Sequence, residues 1–133
     1  HGAKHIFAAA FLNLKRTAEQ VIRSNCEEVI LVCSGTEEHV SFEDCLGAGA
    51  LCHQLLRIHP AMEPGESAHF AADLFAANAD DLEGSMQKSW NARRLLGIPE
   101  LAEDVAFCLT ENLYPIAVVA DPQGRLYQAD INQ

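Results

Sequence analysis

At 133 residues, 49% of them hydrophobic, the chain is long enough to bury one sizeable core and too short for a second. Nine Lys and Arg against nineteen Asp and Glu give a net charge of −10, with no basic cluster beyond Lys15-Arg16 and Arg93-Arg94, which argues against a nucleic-acid partner. The same acidic field repels a phosphorylated ligand, so an anion site on this chain needs local donors or a metal ion.

In chain order, the apolar run at residues 4–10 (KHIFAAA) predicts a first strand. Asn13 is placed to cap a helix from Leu14 to about Ser24, with Leu14, Ala18, Val21 and Ile22 on one face and Lys15, Arg16, Glu19, Gln20 and Arg23 towards water. Residues 29–32 (VILV) form a β-branched run of the kind a strand buried on both faces displays. Ser34, Gly35 and Thr36 break that run. The next helix begins after Ser41, which can cap it, and carries Phe42, Cys45, Leu46, Gly49, Cys52 and Leu56 at helical spacing. Gly47 and Gly49 lower helix propensity there, and close approach to a neighbouring element is the compensation expected.

Residues 60–66 (PAMEPGE) read as an exposed turn, after which Ser67 caps a helix over residues 68–77. A weaker helical stretch opens at Asp80-Asp81, runs through Met86, Trp90 and Leu95 and closes at Gly97, with Trp90 read as core. A short helical turn follows at residues 101–105. Two strands at residues 116–120 and 125–129 flank Asp121-Pro122-Gln123-Gly124, the turn of a β-hairpin. Strand, helix, strand, helix predicts an α/β domain with a parallel βαβα core, flanking helices and a C-terminal hairpin, as a single unit over residues 1–133.

Five cysteines, Cys26, Cys33, Cys45, Cys52 and Cys108, lie in apolar surroundings without metal-ligand spacing and read as buried free thiols of a reducing compartment. The longest apolar run, residues 6–12, is too short to span a bilayer, and no signal peptide precedes it. A cytoplasmic location without membrane contact is the expectation. The start at His1-Gly2, without methionine and close to an apolar run, suggests part of a longer polypeptide.

Chemistry is expected at the break after residues 29–32, because the carboxyl end of a strand feeding a helix N-terminus is the usual ligand crevice of an open α/β sheet. Ser41, Glu43 and Asp44 in the first helical turn serve either as a cap or as a site for a cation and its anion. Ser34, Gly35 and Asn13 offer donors to an anion or do turn and cap duty. His39 is either a proton donor beside the site or a surface residue. A cysteine phosphatase would need arginine five residues past its thiolate, where Cys33 is followed by Glu38 and His39, and an aspartyl-phosphate mechanism would need Asp just after the strand, where Cys33, Ser34 and Gly35 stand. Neither a P-loop nor GxGxxG is present.

The run LVCSG with SFEDCLGAGAL, and the later SWNARRLLGIPELAEDVAFCL, resembles the C-terminal half of the 2-phosphosulfolactate phosphatase family. Cys33, Gly35, Glu43, Asp44, Ala48, Gly49, Gly97, Asp104 and Val105 fit that family's pattern, while Ser34 replaces its usual alanine and Asn91-Ala92 its His-Gly. The resemblance implies a Mg²⁺-dependent phosphatase acting on a small sulfonated phosphoester, with this chain supplying part of the site. Metal-assisted hydrolysis, with Mg²⁺ on one or two carboxylates, is the phosphatase chemistry that the resemblance implies, and it suits Glu43 and Asp44. The arginine-bearing turn and Thr-Asn-Gly-Thr type loop of the family's N-terminal half do not occur here, so the chain alone is expected to turn over at or near background. The expected partner is a small phosphorylated anion, with a homo-oligomer left open. The alternative is a non-catalytic α/β domain that binds a small anion or a protein partner.

Overall fold

A computed structural model describes residues 2–129. Its architecture is helical. Six α-helices, α1 (Leu14–Arg23), α2 (Phe42–Ile58), α3 (Glu66–Ala76), α4 (Leu82–Ser85), α5 (Trp90–Leu96) and α6 (Ala102–Cys108), accompany three short strands, β1 (Phe7–Ala8), β2 (Val118–Ala120) and β3 (Leu126–Gln128). The strands form one antiparallel sheet in the order β1-β2-β3, with Phe7 opposite Val119 and Val119 opposite Tyr127.

The expected parallel βαβα core is therefore not the architecture. β1 pairs with the distant β2, antiparallel, and residues 29–32 belong to no strand. Those residues still show the alternation of an extended segment: Val29 and Leu31 pack against the core, while Ile30 and Val32 are 73% and 87% exposed. The reason is that β-branched composition favours an extended backbone, whereas a strand exists only where a neighbour satisfies its amides and carbonyls. Among the described residues no strand pairs with this segment.

Helix α2 is the organising element, packed against α1 on one side and α3 on the other. Leu46, Ala50, Leu51 and Leu55 of α2 meet Leu14, Ala18 and Val21 of α1, Phe75 of α3 and Phe11 in one buried cluster, which Met86, Ala92 and Val105 extend. The amphipathic face anticipated for α1 is the buried one, with Thr17 added to it. Gly49 is where α3 comes closest to α2: a Cβ there would overlap the carbonyl oxygen of Ala71. The close approach anticipated for Gly47 and Gly49 thus falls on Gly49, and the neighbour is a helix.

Helix termini depart from the expected capping. Asn13 occupies the N-cap position of α1, but its Oδ1 accepts from the Ala10 amide at 2.9 Å and its Nδ2 donates to the Ala8 carbonyl at 3.3 Å. The side chain that serves α1 is Asn112, whose Oδ1 accepts from the Lys15 amide at 2.6 Å across 97 residues of chain. Gly65, rather than Ser67, precedes α3. The stretch after Asp80 is broken into α4 and α5 by short 3-10 turns at residues 79–81 and 86–88, with Asp81 capping α4 through the Gly84 amide at 2.9 Å. At the C-terminal end β2 and β3 flank the anticipated turn, closed by Gly124 N–H donating to Asp121 at 2.8 Å and by the Arg125–Asp121 ion pair at 2.7 Å. No helix among the described residues is long and apolar enough to cross a membrane.

Candidate functional site

The segment between residues 33 and 43 is folded by local chemistry. Gly35 has φ +71° and its missing Cβ leaves room for the His39 carbonyl, so the chain reverses there. Thr36 and His39 then exchange two backbone hydrogen bonds, of 3.0 and 2.9 Å, around a turn whose Glu37 also takes a left-handed φ of +55°. The Ser41 hydroxyl faces the Thr36 hydroxyl at 2.8 Å and makes no capping bond to α2. This contact stands in place of the capping role expected of Ser41.

Glu43 and Asp44, adjacent in the first turn of α2, are held by different neighbours. Glu43 accepts from the buried Ser89 hydroxyl at 2.7 Å and from Asn91 Nδ2 at 2.6 Å, one bond to each carboxylate oxygen. Asn91 Nδ2 also donates to the Thr36 hydroxyl at 2.6 Å, and Ser89 accepts from the Ala92 amide at 2.9 Å as the N-cap of α5. Partial burial works to raise the Glu43 pKa, but hydrogen bonds from Asn91, its own backbone amide and Ser89 outweigh it and hold the carboxyl below its usual range. Asp44 instead accepts from the Gly35 amide at 2.7 Å and the Ser34 hydroxyl at 3.4 Å, tying the turn to the helix.

A cavity of about 510 Å³ opens in front of Glu43, lined by residues that include His39, Ser41, Lys88, Trp90 and Asn91. Of the residues expected to act, it gathers Glu43, Ser41 and His39. Ser34, Gly35 and Asp44 form a second cluster and do not line the cavity, and Asn13 is built into the turn before α1. Lys88, Trp90 and Asn91 were not expected. Trp90, anticipated in the core, is 64% exposed. The one signal for this group was Asn91 standing at a motif position of the resembled family. Among the described residues no cluster of three or more His, Cys, Asp or Glu is placed to hold a metal ion, so a cation here would rest on one or two carboxylates.

The thiols are free, but only Cys52 is buried, and Cys33 and Cys108 are exposed, correcting the uniform burial expected. Partial desolvation, the Cys45 thiol and the Asp44 carboxylate push the Cys33 pKa up, so its thiolate forms only in alkaline solution. A thiol reagent followed by peptide mass spectrometry should therefore reach Cys33 and Cys108 in the native protein and Cys52 only in denaturant. The Cys33 rate should climb with pH beyond the range of an ordinary thiol. Rapid labelling of Cys33 near neutral pH would contradict this and make it a candidate nucleophile.

A fixed carboxylate, an imidazole, hydroxyls and an amide thus line one cavity. The family model of 2-phosphosulpholactate phosphatase matches residues 1–122, and the chain belongs to that family. It is similar to the probable 2-phosphosulfolactate phosphatase of Thermotoga maritima, 35% identical over 112 residues, which cover 84% of this chain and 46% of the relative. The protein of the same name from a Synechococcus strain is 35% identical over 108 residues, 80% of this chain and 44% of the relative. That from Carboxydothermus hydrogenoformans is 29% identical over 126 residues, 95% and 49%. The chain spans about half the length of the curated relatives it matches.

Proposed function

We propose that this chain supplies part of a phosphatase site that hydrolyses a small sulfonated phosphoester, as the names of its relatives suggest, and that the site works with Mg²⁺. The observation that carries the reading is Glu43, a carboxylate fixed by two donors from another helix and facing a cavity of ligand size. The two Glu43 oxygens accept from Ser89, Asn91 and the residue's own amide and still keep acceptor capacity, which fits a hard, oxygen-seeking cation. In this reading Glu43 holds the Mg²⁺, with Asp44 as the neighbouring carboxylate, and the bound ion supplies the positive charge that the acidic chain lacks.

Ser41 presents a hydroxyl to the phosphoryl oxygens, Asn91 spends both amide hydrogens on Glu43 and Thr36 and so fixes the carboxylate, Ser34 and Gly35 support Asp44, and His39 delivers a proton to the departing alkoxide. Asn13 keeps its place in the turn. A cytoplasmic setting belongs to the same reading, supported by five cysteines that stay free. Mg²⁺ titration followed by calorimetry tests the assignment. Glu43→Gln is expected to weaken binding at least roughly tenfold, as loss of a coordinating charge does, and Asp44→Asn to weaken it less. Unchanged binding in Glu43→Gln would remove Glu43 from the metal.

A further inference from the structure

Lys88 is the one cationic side chain among the described residues that line the cavity, where it shares the wall with the carboxylates of Glu37 and Glu43. Its ammonium donates to Asn78 Oδ1 at 2.6 Å and stands 5.7 Å from the centroid of the Phe42 ring. Asn78 is itself buried and anchored, its Nδ2 donating to the Leu74 carbonyl at 2.7 Å. A surface lysine ordinarily samples many rotamers. Here an anchored amide and an aromatic face restrict it before any ligand arrives, which lowers the ordering cost of using it.

Two geometric facts say what it is free to do. An ammonium carries three donors, and Asn78 takes one. Lys88 forms no salt bridge among the described residues, so its nitrogen lies more than 4.0 Å from the Glu43 oxygens. The two groups therefore do not neutralise each other in contact, and a ligand can span them. From this we infer that Lys88 is a specificity-determining residue: it receives the second anionic group, sulfonate or carboxylate, of a phosphoester whose phosphoryl group lies towards Glu43. The inference rests on the phosphatase reading above. It explains how an acidic chain could select a substrate carrying more negative charge than a simple phosphate ester, since a charge-assisted hydrogen bond to a positioned cation outweighs the long-range repulsion at contact distance.

The test is an NMR titration of the isotope-labelled chain, with Mg²⁺ present, using three esters: 2-phosphosulfolactate, 2-phospholactate, which lacks the sulfonate, and ethyl phosphate, which lacks both further anions. Lys88→Gln should lower affinity for 2-phosphosulfolactate roughly 10- to 100-fold more than for ethyl phosphate, the loss expected of one charged hydrogen bond. Lys88→Arg should recover most of that preference, which a merely structural role would not require. If the extra loss persists with 2-phospholactate, the carboxylate is the partner of Lys88, and if it vanishes, the sulfonate is. Binding of all esters with an unchanged preference in Lys88→Gln would overturn the role of Lys88 and leave the phosphatase reading standing. Failure of every ester to bind the wild-type chain, both alone and when supplied in trans with the half of a relative that it does not match, would overturn both.

Discussion

Gly49→Ala is expected to destabilise the fold by about 1–3 kcal/mol, although alanine is the better helix former by about 1 kcal/mol at an unhindered position. The position is hindered by backbone. An added Cβ would overlap the Ala71 carbonyl oxygen of α3 and crowd the Ala71 carbonyl carbon and the Phe75 Cβ, and a backbone carbonyl inside a helix cannot rotate away as a side chain can. Relief requires α3 to move off α2, which opens the packing of Phe75 against the buried cluster containing Leu46 and Ala50. Chemical denaturation followed by circular dichroism should show the midpoint falling with little change in slope. Gly47→Ala, where the nearest atom is the Phe11 ring at ordinary contact distance, is the internal comparison and should be neutral or stabilising. A stable Gly49→Ala protein would show that α2 and α3 are not locked at this point.

The Gly49 contact also shows which parts of the molecule were legible in the sequence. A glycine within a helical pattern reports crowding, and the apolar spacing of α1 and the turn chemistry around Asp121 report on their own segments. These are local signals. Residues 29–32 carried an equally strong local signal and form no strand, because pairing depends on a neighbour that composition does not reveal. Capping failed for a related reason: Asn13, Ser41 and Ser67 are suitable residues at suitable places, but Asn13 and Ser41 found other partners and α3 begins a residue before Ser67. The candidate site was half legible. Glu43, Ser41 and His39 are close in sequence and meet at the cavity, whereas Ser89 and Asn91 reach Glu43 across 46 and 48 residues, a distance at which no spacing rule operates. Trp90 was read as core, and it lines the cavity instead, largely exposed.

Replacing Glu43 should have the largest effect on chemistry. In the reading advanced here its carboxylate carries the metal ion, and phosphoryl transfer depends on positive charge placed where negative charge develops. Glu43→Gln keeps the length of the side chain and an oxygen able to accept from Ser89 or Asn91, so α2 and α5 should stay joined. What it removes is the charge. Loss of one such electrostatic partner costs on the order of a hundredfold to a thousandfold in turnover. The cavity itself offers little to replace it, with Lys88 as its one cation among the described residues. For the same reason the 133 residues alone should release phosphate at or near background.

The most direct measurement is Mg²⁺-dependent phosphate release from 2-phosphosulfolactate by this chain supplied in trans with the half of a family-length relative that it does not match, with wild-type Glu43 and with Glu43→Gln. The account predicts release that needs both the metal and the added half, and that falls at least roughly a hundredfold in the variant while its circular dichroism spectrum is retained. Release at the wild-type rate by a folded Glu43→Gln chain would contradict it.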